Sequence, residues 1–442
     1  MMEQKIVKEL LPFQIAHVVN IIKKLKVNGI CLDGSDTGVG KTYVAMAVAK
    51  YLKLQVVILC PKTIMSSWEK IAGIFGVKPI AVVNYETANR GKYYDAKGVR
   101  VKCPYLTYTK DAPVPFAWTL PKNTMLIFDE VHRCCNEKSL HGKLLMSLVG
   151  IYNTKNPLLM LSATVADDMS HIKILGVLFK WFKSVHWVPD WMKNKNYNPK
   201  HARMLIHQKL FPEYGCRIRI SELGDSFPKS QLSADCYNID SRDIIDAAYK
   251  DIQNSINSLK NKADREDPLH CNSLVKITRA RQKIELCKIP LFVDLVQQYR
   301  ENNYSVVIFL NFTETLKLLA DKLKVKCLVF GEQTLKERQK NIEDFMENRQ
   351  RIIICNICAG GESISLHDKY GEHPRVSLIS PTWSSNKLVQ ACGRIHRSDA
   401  KTVAVNKIIY TAKTVEQYMC NKLESKLSNL SSITDDDLQL EE

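Results

Sequence analysis

Residues Gly29 to Thr42 read G-I-C-L-D-G-S-D-T-G-V-G-K-T and run directly into Y-V-A-M-A-V-A-K-Y-L-K, Tyr43 to Lys53. A short apolar run, a glycine-bearing turn and a helical pattern follow one another here without a break. Strand, loop and helix in that order make a phosphate-binding unit: Gly38 and Gly40 let backbone N–H groups close around phosphate oxygens. Lys41 is then placed to reach β- and γ-phosphates, and the Thr42 hydroxyl suits Mg²⁺. The expected nucleotide-binding stretch is Ser35, Asp36, Thr37, Gly38, Val39, Gly40, Lys41 and Thr42. Ser35 stands where the G-x-x-x-x-G-K-[ST] pattern has its first glycine. Taken alone, the stretch could also be a glycine-rich turn before a surface helix.

Working outward, near-continuous apolar runs recur at Val56–Pro61, Pro79–Tyr85, Thr124–Glu130 and Asn156–Thr164. Runs of this length, without alternation, mark strands buried on both faces and hence a parallel sheet flanked by helices. A second series follows at Ser305–Phe312, Lys326–Gly331, Arg351–Asn356, Arg375–Pro381 and Val403–Tyr410. Two such series predict two α/β lobes, with ligands expected beyond the carboxyl ends of the strands. Residues 170–230 hold three of the six tryptophans and no clear strand alternation, which predicts a mostly helical insertion. Residues 240–297 have helical, charge-rich spacing, and the end of the chain is acidic.

The 442 residues are enough for two or three domains. With 45% hydrophobic and 25% charged residues the chain has the composition of a folded soluble protein, which excludes wholesale disorder. No apolar run reaches a membrane-spanning length, and the start lacks the apolar stretch of a secretory signal, so an intracellular soluble protein is expected. Lys and Arg total 63 against 46 acids, a formal net charge of +17 that favours a polyanionic partner, nucleic acid first. The 14 cysteines are scattered and read as reduced thiols.

An acidic pair closes the run L-I-F-D-E-V-H, Leu126 to His132. Asp129 could hold Mg²⁺, and Glu130 could orient and deprotonate an attacking water, since phosphoryl transfer depends mainly on positioning and charge stabilisation. An acidic pair after a strand is by itself usually a solvated strand end; behind a phosphate loop it gains a role. Arg394 and Arg397 in Q-A-C-G-R-I-H-R, Gln390 to Arg397, are three residues apart. On a helix they would face one side with Gln390, and guanidinium groups there could stabilise charge on the γ-phosphoryl oxygens.

Taken in order, these segments resemble the DExH-box ATPases of helicase superfamily two. The likeness runs through Gln14 in L-L-P-F-Q, Ile58–Lys70 (I-L-C-P-K-T-I-M-S-S-W-E-K), N-Y-E-T at Asn84–Thr87 and D-E-V-H at Asp129–His132. It continues through L-S-A-T at Leu161–Thr164, Val306–Phe312, C-N-I-C-A-G-G-E-S-I-S-L at Cys355–Leu366, and Gln390–Arg397. The resemblance implies two tandem RecA-like lobes with a nucleotide cleft between them. The first would cover 1–230, with its insertion at about 170–220; the second would cover 231–425 with a helical leader, before an acidic tail at 426–442. Gln14 and Gln390 would contact nucleotide (Gln390 alternatively nucleic acid), Lys41, Asp129, Glu130, Arg394 and Arg397 would be catalytic, and ATP and Mg²⁺ the cofactors, with Thr42 and Asp129 on the metal.

The tryptophan after P-K-T, the residues following the box, C-A-G-G-E-S-I-S-L and Arg281–Tyr299 are similar to the Swi/Snf-type (sucrose non-fermenting) translocases. The Ser-Ala-Thr element is instead commoner in strand-separating helicases, so both duplex translocation and unwinding stay open. The compact chain is similar to helicase-like proteins of large DNA viruses and phages. The expected activity is a nucleic-acid-dependent ATPase that translocates on or remodels nucleic acid, DNA in preference to RNA, as a monomer, with transcription or replication machinery as candidate associates. An ATP-dependent clamp is the non-motor alternative. Cys355 and Cys358 lack the second pair a zinc site needs. Aromatic and cationic residues between Trp181 and Tyr214 fit either a nucleic-acid surface or a small core of their own.

Overall fold

The computed structural model describes residues 4–163, 172–185, 206–211, 213–238, 268–360, 364–382 and 384–412, together with 243–245, 247, 248, 250, 254 and 416. The chain divides into two compact units, the first reaching Gly224 and the second Asp225–Ser425.

The first unit is built on strands β1 (Ile30–Asp33), β2 (Gln55–Cys60) and β3 (Pro79–Asn84), then on β4 (Lys92–Tyr94), β5 (Arg100–Lys102), β6 (Leu106–Tyr108) and β7 (Phe116–Trp118). It is completed by β8 (Thr124–Asp129), β9 (Leu158–Leu161) and the short β10 (Gly215–Cys216). Six of them form one parallel sheet in the order β10-β1-β9-β8-β2-β3. Successive side chains of a strand leave opposite faces, and the core follows that rule. Leu32, Leu59, Leu126 and Phe128 enter one apolar layer, while Cys31, Ile58, Met125 and Ile127 enter the other beneath the helices Pro12–Asn28, Lys41–Leu52 and Met65–Ile74. Both faces are therefore dry, which is why the runs carry no polar alternation.

Five strands here differ from the expectation: the two-residue β10 is a parallel edge strand inside the stretch expected to be a helical insertion, and β4–β5 and β6–β7 are antiparallel ribbons inserted between β3 and β8. Each ribbon strand has three residues and β10 has two, too few to show an alternation. Within the expected insertion, Ile172–Leu178 is helical. Phe179 meets Tyr214 and Trp181 at a tilt, with centroids 5.0 Å and 5.2 Å apart, and Trp181 meets Tyr214 edge-on. These aromatics pack on the first core, which favours the core alternative for them. Trp187, Trp191, Lys193, Lys195, Lys200 and Arg203, like the acidic tail, lie outside the described residues.

The second unit repeats the plan with β11 (Ser230–Tyr237), β12 (Ser305–Leu310), β13 (Leu328–Val329), β14 (Ile352–Asn356), β15 (Arg375–Ile379) and β16 (Ala404–Thr411). All pairings are parallel, in the order β11-β16-β15-β12-β14-β13. β11 differs from the expectation; as an edge strand it is exposed throughout Ser230–Leu232 and at Ala234 and Cys236, and it lacks an apolar run. Cys355 is buried on β14 and Cys358 is exposed. Among the described residues no helix is long and apolar enough to cross a membrane.

Two buried charges pin the helices Pro268–Cys287 and Ile289–Glu301 to the carboxyl rim of this sheet. Glu285 accepts from the Asn311 backbone N–H and Asn311 Nδ2, both at 2.9 Å, and from Phe312 N–H at 3.0 Å. Lys288, wholly buried, donates to Ser380 Oγ at 3.1 Å, to the Ile409 carbonyl at 3.3 Å and to Glu416 at 2.5 Å. A buried pair is costly to break because the remaining charge stays desolvated. Lys288→Met should therefore cost the second unit about 3–5 kcal/mol, read as a lowered urea midpoint for that unit.

Candidate active site

The parallel ladder brings three strand ends side by side. Asp33 on β1 and Asp129 on β8 both pair with Leu161 on β9, and the Ser162 N–H donates to the Asp33 carbonyl at 3.1 Å. The phosphate loop, the acidic box and the Ser-Ala-Thr element thus start from one rim.

In the loop, Gly38 and Gly40 have φ of +90° and +87°, a region that glycine alone enters freely. A Cβ at Gly40 would also collide with Gln14 Nε2. Gln14, buried on its helix, donates to the Val39 carbonyl at 2.7 Å and accepts from Leu11 N–H at 2.8 Å, so it ties that helix to the loop. The Lys41 ammonium donates to the Ser35 carbonyl at 2.7 Å and the Asp36 carbonyl at 2.9 Å. Of its three hydrogens one is left to point elsewhere. Asp36 accepts from Ile220 N–H at 2.8 Å, and its own N–H donates to Ile218 O at 3.0 Å.

Ser35 has a structural reason to replace glycine. It is fully buried behind the loop. Its hydroxyl donates to Asp33 Oδ1, accepts from Ile218 N–H at 2.8 Å, and lies 3.2 Å from His17 Nε2. His17 in turn is 3.1 Å from Asp33 Oδ1. It sits three residues after Gln14, on the same helical face. Sequence reading missed both His17 and Asp33. The only available signal was a polar residue at helical spacing from Gln14 and an acid ending a buried strand.

Across the rim, Asp129 accepts from Trp68 Nε1 at 2.9 Å, and its carbonyl accepts from the Tyr85 hydroxyl at 2.7 Å. Trp68 is almost completely buried, so its indole is a fixed donor. Burial first, and then the charge of Glu130, push Asp129 up to about 7, against the pull of Trp68 and Lys41. Glu130 has left-handed backbone angles, φ 55° and ψ 49°, a strained conformation for a non-glycine residue that is held where the chain turns off β8. Its carboxylate is 3.3 Å from His132 Nδ1, which also lies 3.0 Å from Ser162 Oγ. His132 therefore bridges the acidic box and the Ser-Ala-Thr element; Thr164 of that element lies outside the described residues.

In the second unit the helix expected to carry the arginine pair stops short. It covers Ser385–Cys392, with Gln390 buried on it, and Arg394 and Arg397 lie in the turn and loop beyond. Gly393 follows the last helical residue, so the three-residue spacing does not act through a shared helical face. The guanidinium groups still converge, because Arg394 Nη1 and Arg397 Nη2 both donate to the Ile364 carbonyl, at 3.4 Å and 3.0 Å. Leu366 N–H donates to the Arg394 carbonyl at 2.8 Å, so the arginine loop is laced to residues 364–366. Residues 361–363 of the C-A-G-G-E-S-I-S-L segment lie outside the described residues.

The His17–Asp33 pair makes the first unit's stability depend on pH. Burial alone would lower the His17 pKa and raise that of Asp33; the partner's opposite charge and the hydrogen bond outweigh it, so His17 is raised and Asp33 lowered. A lowered Asp33 adds stability that is in place above pH 3.8 and fades as the pH falls through its folded value. A raised His17 adds stability that is in place below pH 6.5 and fades as the pH rises through its folded value. The pair should therefore contribute most between about pH 4 and 6.5. His17→Gln should flatten the alkaline decline, checked by urea midpoints from weakly acidic to alkaline buffer; a decline that persists in the variant would belong to another group.

Residues 16–172 match the DEAD/DEAH box helicase family, and residues 287–399 match the helicase conserved C-terminal domain. A putative ATP-dependent RNA helicase, L364, of Acanthamoeba polyphaga mimivirus is 38% identical over 461 aligned positions, covering 98% of this chain and 84% of that protein. The CHD3-type chromatin-remodeling factor CHR7 of Arabidopsis thaliana is 24% identical over 91% of this chain, which spans only 35% of that factor. The fold is similar to that of Dbp5 of S. cerevisiae bound to RNA and ADP BeF3, with a TM-score of 0.51 at 14% identity over 98% of this chain and 95% of that one. Two RecA-like parallel sheets, matched in order by both helicase halves and by a relative aligned almost end to end, make this chain a member of the ATP-hydrolysing helicases of superfamily two.

Proposed function

We propose that this helicase separates strands by stepping along a nucleic-acid backbone, with RNA as its first substrate. The observation that carries the proposal is the Glu130–His132–Ser162 bridge. It joins the acid assigned to water activation to the Ser-Ala-Thr element, so a change at the nucleotide is felt at a second segment of the same rim. The named RNA helicase at 38% identity supports RNA in place of the DNA preference expected from the sequence.

In this reading the loop amides, Gln14 and Lys41 hold ATP, and Glu130 orients the attacking water and takes its proton. Gln390 is assigned to nucleotide or nucleic acid, and Arg394 and Arg397 to the charge that develops on the γ-phosphoryl group. Thr42 and Asp129 fit Mg²⁺. They are hard oxygen donors, and a buried carboxylate pushed up to about 7 is short of positive charge. Once bound, the ion would neutralise charge on the β- and γ-oxygens. Trp68 is a positioning residue that fixes one Asp129 oxygen, and the carboxylate held in this way would be offered to the metal. A Swi/Snf-like translocase that moves on duplex without separating it is the second reading, favoured by the 24% identity to the remodeling factor.

The deciding experiment measures ATPase rate against single-stranded and duplex RNA and DNA, together with release of a fluorescent strand from a duplex with an overhang. Stimulation by single strands with strand release supports the proposal. Stimulation by blunt duplex without release turns it to the second reading, and no stimulation by any nucleic acid refutes it. Lys41→Ala, Glu130→Gln and Arg397→Ala should each slow stimulated hydrolysis by about 10²–10³-fold or more, with circular dichroism unchanged. Trp68→Phe, which keeps an aromatic ring but loses the N–H, should raise the Mg²⁺ concentration needed for half-maximal rate several-fold, and an unchanged Mg²⁺ dependence would remove the positioning role.

A further inference from the structure

Between β3 and β8 the chain makes the β4–β5 ribbon, and its two faces differ in kind. Lys92 lies opposite Lys102, Tyr93 opposite Val101, and Tyr94 opposite Arg100. Directly opposed residues share a face and alternate ones leave the other. One face therefore carries Lys92, Lys102, Arg100 and Tyr94; the other carries Tyr93 and Val101. The second face turns inward: Tyr93 packs on the unit's core and meets Tyr105 edge-on, ring centroids 6.3 Å apart. The first is left outside, with Lys92, Arg100 and Lys102 all exposed.

Like charges set directly opposite on a ribbon repel. Among the described residues no carboxylate lies within ion-pair distance of Lys92 or Lys102. The nearby acids are engaged otherwise. Asp95 forms the turn, accepting from the N–H groups of Lys97 and Val99, both at 2.9 Å, with Gly98 supplying φ +74°. Glu86 accepts from Asn84 Nδ2 at 2.6 Å and lies 3.9 Å from His141. The ribbon thus retains an electrostatic cost that an external polyanion would remove.

The ribbon is also joined to the segments that the sequence likeness assigns to nucleic acid. The Tyr94 hydroxyl donates to Asn84 Oδ1 at 3.1 Å, lies 3.2 Å from Thr87 Oγ1, and accepts from Arg100 Nη2 at 3.4 Å. Arg100 lies over the Tyr94 ring, 5.7 Å from its centroid. Burial would raise the Tyr94 phenol, but its hydrogen bonds to Thr87 and Arg100 and the charges of Arg100 and Lys62 bring it below its ordinary value. Lys62 of P-K-T and Asn84 and Thr87 of N-Y-E-T are therefore neighbours of the cationic face. Along a strand, alternate residues are about 6.6 Å apart, comparable with successive phosphates on one strand.

We propose that the exposed face of the β4–β5 ribbon, Lys92, Arg100 and Lys102, is a phosphate-backbone contact that extends the nucleic-acid track beyond Lys62, Asn84 and Thr87. The occupant is the phosphodiester backbone, read without regard to sequence. The inference rests on the nucleic-acid reading of the preceding subsection.

The test uses the full chain with Lys92→Glu and with Lys92→Gln/Lys102→Gln, and reads fluorescence anisotropy of labelled RNA and DNA, single-stranded and duplex, through a salt titration. Each lost phosphate contact lowers the slope of log K against log salt by about 0.7–0.9, so the double variant should lose about 1.4–1.8 from the slope. Its affinity should weaken by about tenfold or more at physiological salt. Lys92→Glu places opposite charges across the ribbon, so its melting temperature should be equal to or above that of the unsubstituted chain while its binding weakens. Opposite signs in these two readouts are not expected of a merely structural lysine. Unchanged affinity and slope in both variants, while the parent chain binds, would overturn the ribbon contact alone. A parent chain with no salt-dependent nucleic-acid binding would overturn the function proposed above and this contact with it. Retained nucleic-acid binding together with lost binding to phosphatidylserine vesicles would assign the face to a lipid surface and overturn it too. Single-stranded and duplex arms identify which form of backbone the ribbon meets.

Discussion

The pairing of β1, β9 and β8 in that lateral order governs the chemistry of the first unit. A parallel ladder keeps three strand ends level, so Asp33, Leu161 and Asp129 finish on one rim and the polar residues after them emerge together. Below that rim both faces of the sheet are apolar and dry. A charge there is therefore tolerated only where a partner meets it, as His17 meets Asp33 and Trp68 meets Asp129. The loop, the box and the Ser-Ala-Thr segment are placed by the sheet, and their side chains are then fixed by buried donors one layer further in.

Those inner donors account for several departures from pattern. Ser35 is not a weakened glycine; its hydroxyl joins Asp33, His17 and the backbone at Ile218, so the loop is braced from behind by the segment after β10. Glu130 holds a left-handed backbone, and its carboxylate is kept near His132 instead of relaxing along the strand. The second unit uses the same device with different residues. Glu285 satisfies the backbone at Asn311 and Phe312, and Lys288 collects oxygens from Ser380, Ile409 and Glu416. In both units a buried charge lies beneath these segments, Asp33 in the first and Glu285 and Lys288 in the second.

The basic excess of the chain gains a local meaning in the β4–β5 ribbon. Seen as composition, +17 is compatible with many arrangements. Seen on a ribbon, Lys92 opposite Lys102 is a specific like-charge pair, with Tyr94 and Arg100 linking it to Asn84 and Thr87. The strain lies at the surface and the hydrophobic face lies inward, an arrangement suited to an anionic partner.

Much is legible in the amino-acid sequence itself, because it depends on local physics. The phosphate loop was readable from the demand for glycine at Gly38 and Gly40, and the strands from unbroken apolar runs such as Val306–Leu310, which only a doubly covered parallel sheet accommodates. The acidic box was readable because it ends such a run. What stayed hidden depended on partners distant in sequence. His17 finds Asp33 and Ser35, and Trp68 finds Asp129, through packing that no spacing rule encodes. The arginine pair looked helical from its spacing, yet its helix ends at Cys392 and the two guanidinium groups meet through the Ile364 carbonyl instead. The three-residue strands of the ribbons were too short to carry a period, and their pairing, and with it the crowding of Lys92 against Lys102, came into being only when the folded chain set one beside the other.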